Sequence, residues 1–359
     1  MKEHRIAVIP GDGIGGEVIA EGLEVLQRAG EMFSFHSTFT EFPWGSEHYL
    51  AHGVMMPANA LETLAPFDAI YFGAVGHPRV PDNVTLNGLL LPIRRAFEQY
   101  ACVRPSRLYP GVATPLVNRA EIDLVVVREN TEGEYAQVGG LVHAGTGDAV
   151  AMQTAVFTRM GTERVIRFAF DLARSRRRKL TSVTKSNAQG FSMTFWDGVF
   201  TEVAAGYPDV ATESLLFDSA CMMLIQRPHS FDVLVASNLF GDVLSEVGAA
   251  ITGSLGLAPS ANLNPPRRWP SMFEPVHGSA PDIAGQGVAN PTAAILSAAM
   301  MLEWLGEHDA ASAVREAAID TLREGRVRTP DLGGAATTSE MGAAVRIRLE
   351  AGRVAQKSR

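Results

Sequence analysis

Cysteine is nearly absent from this chain: Cys102 and Cys221 are the only two in 359 residues. A disulfide framework is thereby excluded, and a reducing cytoplasm is the expected compartment. A long apolar run is missing too. The N-terminal stretch MKEHRIAVIPGDG starts with charge and lacks the apolar core of a signal peptide. The most apolar stretch, PTAAILSAAMMLEWLG, is interrupted by Glu303 and is too short to span a bilayer, so no membrane insertion is expected. Excess positive charge is also lacking. Lys and Arg total 31 against 39 Asp and Glu, a net charge of −8, which argues against non-specific nucleic-acid binding. One basic run stands out: Arg174, Arg176, Arg177, Arg178 and Lys179. It closes a helix-like stretch and has no interleaved aromatics, so it reads as a solvated helix C-terminus rather than a nucleic-acid patch. Internal repeats, low-complexity tracts and long linkers are absent, so composition marks no domain boundary.

The length suggests two domains at about 150 residues each, with 46% hydrophobic residues to fill a large core. Strand-length apolar runs recur at 5–9, 67–73, 122–129, 179–185 and 231–237. Amphipathic helical patterns lie at 16–29, 89–100, 162–175, 239–251 and 291–305. Such alternation predicts an α/β fold with buried, largely parallel strands. The segment 141–161 differs: it alternates, carries glycines between two extended pieces, and reads as a protruding hairpin.

Several stretches carry chemistry. VIPGDGIGGEV contains the Gly11-x-Gly13-x-x-Gly16 spacing of a dinucleotide-binding turn, where glycines admit phosphate to a helix N-terminus. Two details weaken that reading. Pro10 interrupts the strand-to-turn passage, and the ribose-binding acid expected ~20 residues on has no clear counterpart, Glu31 and Glu41 being the nearest. In SNLFGDVLSE, Asp242 and Glu246 are one helical turn apart, with Ser237 or Asn238 as cap. Spacing alone favours a solvated helix face, but two carboxylates at the end of a buried strand suit a hard divalent cation. Arg94, Arg95, Arg104 and Arg128 offer guanidinium groups for a dicarboxylic substrate, yet each singly reads as a surface cation. Tyr135 and Lys185 mean little in isolation, though a lysine beside a metal can serve as a base. The 272–296 stretch is a long polar loop rich in small residues, a type that is commonly functional.

These stretches stop being independent when taken in order. GDGIGGEV, RENTEGEY, TKSNA, SNLFGD, SANLNP, FEPVHGSAPDIAG and ANPTAAILSAAMML follow the sequence of motifs of the metal-dependent β-decarboxylating dehydrogenases, which act on isopropylmalate, isocitrate, D-malate and tartrate. The resemblance covers nearly the whole chain and looks closest to the tartrate/D-malate dehydrogenase branch.

What the resemblance implies is specific. The fold would be the isocitrate/isopropylmalate dehydrogenase-like α/β fold, not a Rossmann domain. A large discontinuous domain would comprise 1–98 plus 253–359, and a smaller one 99–252, with the active cleft between them. The protein would be a homodimer with shared active sites, clasped by the arm near 141–161. Tyr135 and Lys185 match the catalytic positions, Lys185 acting in the neighbouring subunit's site. Arg94, Arg104 and Arg128 match the carboxylate-binding positions, with Asn87, Leu90 and Leu91 facing the substrate's distal group. Asp218, Asp242 and Glu246 match the positions that bind Mn2+ or Mg2+, Asp218 crossing the interface; at position 246 the family pattern has Asp. Ile14, Glu274, His277, Gly278, Ser279, Ala280, Asp282, Asn290 and Asp331 match the cofactor contacts. Asp282 would hold the adenosine ribose and repel a 2′-phosphate, implying NAD rather than NADP. K+ is a further candidate cation. The expected activity is oxidation, with or without decarboxylation, of a small 2-hydroxy dicarboxylic acid such as tartrate or D-malate. Two rival readings remain: a 3-isopropylmalate or other alkylmalate dehydrogenase, and a non-catalytic regulatory paralogue.

Overall fold

The computed structural model describes residues 2–117 and 121–357, with side-chain surroundings through residue 352. Twelve strands occur among these residues: β1 Lys2–Gly11, β2 Phe35–Glu41, β3 Ala69–Ala74, β4 Ala101–Arg107, β5 Asp123–Glu129, β6 Gly139–Val142, β7 Val150–Gln153, β8 Lys179–Thr184, β9 Ala211–Leu216, β10 Val233–Ala236, β11 Pro259–Leu263 and β12 Ser271–Pro275. Ten form one sheet in the order β2-β1-β3-β12-β11-β4-β5-β10-β8-β9. Each flank is parallel: β2-β1-β3-β12 on one side and β5-β10-β8-β9 on the other. Between them β11 pairs antiparallel with both β12 and β4, and β4 with β5. All five strand-like runs therefore form strands, but the antiparallel centre was not visible in their pattern.

The parallel strands read as apolar because both faces are covered. Every residue of β3 and β10 is buried. Along β1 the alternation of side chains splits two cores: Ile6 and Val8 enter the main one, whereas Ala7 and Ile9 face a smaller one containing Trp44, Met55, Phe72 and Ile93. Helix Gly15–Phe33 buries Val18, Ile19, Val25, Leu26, Ala29 and Met32, a helical spacing of apolar positions, and stops at Ser34 in the left-handed region. Each such buried Val, Ile, Leu or Met side chain contributes about 1.5–3 kcal/mol. Helix Thr292–Trp304 is buried on nearly all sides and packs on β12, on helix Gly15–Phe33 and on helix His308–Glu324.

The predicted hairpin is present but shorter than 141–161. Strands β6 and β7 pair antiparallel, all eight of their residues are exposed, and helix Arg159–Arg174 begins inside the predicted range. The basic run is not simply solvated. Arg174 holds Asp209, Arg176 bridges Asp123 and Asp232, and Lys179 pairs with Glu213.

Candidate active site

The glycine-rich turn after β1 owes its glycines to packing. Gly11 and Gly13 adopt left-handed φ values of 71° and 56°. A Cβ on Gly11 would stand 1.9 Å from the Ala74 carbonyl oxygen, and one on Gly13 would stand 2.0 Å from that of Ser279. Nothing lies within 4 Å of a Cβ on Gly16. The turn thus closes onto the 276–291 loop, where the Ile14 amide donates to the Ser279 carbonyl at 2.9 Å and the Gly285 amide donates to Glu17 at 2.6 Å. The Asp12 carboxylate accepts from the Ser46 and Gly76 amides and from the Ser46 hydroxyl, which fixes the turn from beneath.

The chemistry gathers at the C-terminal end of β10. There the chain passes through Ser237 into helix Asn238–Ile251, which presents Asn238, Asp242, Ser245 and Glu246 on one face. Arg128, next to the last residue of β5, pairs with Ala236, and Arg104 lies on β4. Arg104 donates to Asp242 Oδ1 at 2.9 Å and to Ser245 at 2.8 Å. Arg128 donates to the same Asp242 oxygen and grips Asn238 Oδ1 through Nε and Nη2. The Tyr135 hydroxyl donates to Asp242 Oδ2 at 2.9 Å. One carboxylate thus gathers two guanidinium groups and a phenol.

Electrostatics follow from that gathering. Burial alone would raise the Asp242 pKa, but Arg128 and Arg104 outweigh it and hold the group below the usual carboxylate range. Burial, reinforced by Asp242, pushes the Tyr135 phenol up to about 12. Glu246 is exposed, yet surrounding protein still raises its pKa, desolvation being the main cause. Arg94 lies buried against Glu274 at 2.6 Å, and Asn262 donates to the same Glu274 oxygen.

Arg94, Arg104, Arg128, Tyr135, Asp242 and Glu246 line a cavity of about 200 Å3, whose wall also includes Leu86, Leu90, Leu91 and His277. The leucines come from a π-helical turn, Leu86–Leu90, running into helix Leu91–Ala96. Asn87, expected at the distal wall, instead donates to the Asn83 carbonyl and is exposed. Burial lowers the His277 pKa, so the imidazole is neutral at pH 7. Its Nδ1 lies 3.0 Å from the Gly278 carbonyl and is therefore the donor, which leaves the buried Nε2 an unpartnered acceptor.

Other expected site residues lie outside this cavity. Lys185 pairs with Asp218 at 2.5 Å; Asp218 is exposed on helix Phe217–Gln226. Asn290 donates to Asp331, which also accepts from Ser254 and Thr329 and lines a second cavity of about 240 Å3. Asp282 is exposed, while Ser279 is buried and Ala280 takes a positive φ of 40°.

Asp242 and Glu246 face one cavity, and Glu246 has no protein ion pair among the described residues. Two oxygen-donor side chains suit a hard cation that keeps several waters. No cluster of three His, Cys, Asp or Glu occurs among the described residues, because Asp218 stands apart with Lys185.

Two features were missed by sequence reading. Neither Ser237 nor Asn238 caps its helix through its side chain. The Glu134 carboxylate does so, accepting from the Ser237 hydroxyl at 2.7 Å and the Leu239 amide at 3.1 Å. Leu86 joins the distal wall; its helical spacing from Leu90 was the available clue.

Residues 5–345 match the isocitrate/isopropylmalate dehydrogenase family model. A probable tartrate dehydrogenase/decarboxylase of Agrobacterium vitis is 51% identical over 352 residues, covering 96% of this chain and 97% of that one. The D-malate dehydrogenase (decarboxylating) of Escherichia coli strain K12 is 51% identical over 355 residues, covering 96% and 98%. The crystal structure of isocitrate dehydrogenase from Methylococcus capsulatus superposes with a TM-score of 0.88 at 36% identity, covering 96% of this chain and 99% of that one.

Proposed function

The chain belongs to the isocitrate/isopropylmalate dehydrogenase family, and from that premise we propose that it oxidises a small 2-hydroxy dicarboxylic acid of the D-malate/tartrate class with NAD+ and Mn2+ or Mg2+. The observation that carries the reading is the convergence of Arg104, Arg128 and Tyr135 on Asp242 inside one small cavity. When bound, NAD+ takes up hydride, and a divalent cation acidifies the substrate hydroxyl and stabilises charge on its oxygen.

This chain's residues do the rest. The guanidinium groups of Arg104 and Arg128 transfer from Asp242 to a substrate carboxylate, which frees Asp242 to join the unpaired Glu246 in holding the cation. Arg94, braced by Glu274, faces the second carboxylate. Lys185 removes the hydroxyl proton, and Tyr135, protonated at neutral pH, delivers a proton to carbon once CO2 has left. NAD binds along 277–282, with Asp282 on the adenosine ribose. Asp282→Lys should raise the KM for NAD+ by at least ~10-fold, since it removes an acceptor and inserts a charge.

We assign 1–98 plus 253–359 and 99–252 to two domains that meet at the β11–β4 pair, with the cavity between them. We further propose a homodimer. Asp218 shares its helix face with exposed Met222 and Ile225; Leu239, Val243 and the β6–β7 arm add further uncovered apolar side chains. A second copy would cover them and bring Lys185 and Asp218 to the partner's cavity. The two free cysteines fit a cytoplasmic enzyme, and no helix among the described residues is long and apolar enough to cross a membrane.

One observation favours a second reading. With Asn87 turned away, the distal wall is Leu86, Leu90 and Leu91, which also suits the alkyl group of a 3-alkylmalate. Steady-state kinetics with D-malate, tartrate, 3-isopropylmalate and isocitrate, in NAD+ with Mn2+ and with or without K+, separate these readings. We expect the highest kcat/KM among the four with D-malate or tartrate. A preference for 3-isopropylmalate would establish the second reading, and no turnover on any of them would overturn both.

A further inference from the structure

Glu134 stands beside Tyr135 in the chain but takes no part in the cavity wall. Its two oxygens hold the start of helix Asn238–Ile251, through the Ser237 hydroxyl and the Leu239 amide. One turn further along the same helix, Asp242 receives the Tyr135 hydroxyl. Adjacent residues of one loop thus grip one helix at two points. The loop has little room to do otherwise. Gly133 has a φ of 74°, and a Cβ there would stand 3.2 Å from the Asn238 Cβ. Asn238 Nδ2 also donates to the Glu132 carbonyl at 2.9 Å.

Ser237 makes this arrangement informative. It occupies the N-cap position with the extended backbone that a capping serine adopts, yet its hydroxyl donates outward to Glu134. The Leu239 amide, which a capping serine normally serves, is served by Glu134 instead. A self-sufficient cap has given way to a cap supplied by the tyrosine's own loop.

We propose that Glu134 is a positioning residue: its cap on helix Asn238–Ile251 sets where the Tyr135 hydroxyl stands relative to Asp242. The proposal rests on the dehydrogenase reading only for its effect on turnover; the coupling of loop to helix stands on geometry. Removing Glu134 leaves Ser237 free to turn inward and cap the helix itself. The fold therefore survives while the tie between loop and helix is lost.

The test compares Glu134→Ala with Glu134→Gln in the full-length protein. The glutamine carbonyl still accepts from the Leu239 amide, and the Ser237 hydroxyl rotates to accept from its NH2. In Glu134→Ala we expect kcat with the best acid of the panel to fall roughly ten- to a hundred-fold, with KM within about two-fold and the melting midpoint lowered by less than about 3 °C. Glu134→Gln should recover most of kcat. Hydrogen exchange of residues 131–136 should accelerate in Glu134→Ala and not in Glu134→Gln. Unchanged kcat in Glu134→Ala, or a loss matched by melting, would overturn the positioning role. If the wild type turns over none of the acids, the dehydrogenase reading fails by itself. Exchange then decides the coupling: acceleration confined to Glu134→Ala supports it, and unchanged exchange overturns it.

Discussion

Asp242 and Asp218 carry the same side chain into opposite surroundings. Asp242 is clamped by two buried arginines and a tyrosine at the edge of a cavity. Asp218 is exposed, and its only ion-pair partner among the described residues is Lys185, whose hydrogen bond lowers its pKa. Asp242 is held low against the cost of burial, Asp218 with almost no burial to oppose. The first arrangement is complete within one chain and must matter to folding. The second contributes little to folding, because an exposed pair exchanges one set of hydrated charges for another. A pair that stabilises little and sits on an apolar helix face is better explained by what it meets than by what it holds.

That contrast can be broken at either end. Lys185→Met should lower kcat by roughly 10²–10⁴-fold while leaving NADH binding and the melting midpoint close to wild type. Normal turnover would remove Lys185 from the reaction. Mixing Lys185→Met with Tyr135→Phe under subunit exchange sharpens the point. Sites shared between chains should recover about a quarter of wild-type activity in a one-to-one mixture, whereas sites confined to one chain recover none. Arg128→Met attacks the other end. It leaves Asp242 poorly compensated and should cost about 3–5 kcal/mol in urea unfolding together with roughly 10²–10³-fold in kcat/KM. A stable Arg128→Met protein would mean that Asp242 is not clamped as described. Glu246→Gln is the mildest change, with no ion pair to lose. Calorimetric titration with Mn2+ should show affinity weakened about ten-fold at unchanged stability. Unaltered affinity would exclude Glu246 as a ligand.

Legibility in the sequence followed the range of the interactions. The parallel strands were readable because burial on both faces makes them continuously apolar, as in VVVR before Glu129 or VLVA before Ser237. The antiparallel centre was not. β4 carries Arg104 and Pro105, β11 carries Asn262, and β12 ends in Glu274-Pro275, so their composition is that of a polar site rather than a core. Asp242 and Glu246 were readable from their spacing on one helix. The partnership of Glu134 with Ser237 was not, since about a hundred residues separate them and neither has a distinctive neighbourhood. The glycine fingerprint, rightly discounted in the sequence, has a physical origin. Close approach of backbone demands glycine whether the approaching group is a phosphate or, as here, the carbonyls of Ala74 and Ser279.

The order of strands in the sheet also has a consequence for how the protein is made. β4 through β10 come from one unbroken stretch, so that flank can close as soon as it leaves the ribosome. β3 ends at Ala74, and β12, its neighbour towards the centre of the sheet, starts only at Ser271, with the covering helix Thr292–Trp304 later still. At roughly 5–20 residues per second, synthesis leaves the edge of β3 unpaired for about 10–40 s. During that interval a fully apolar strand edge stands open to association. The β1–β3 segment emerges before β12 and waits for it, and its solubility while waiting is the step at which expression of this enzyme should be most easily lost.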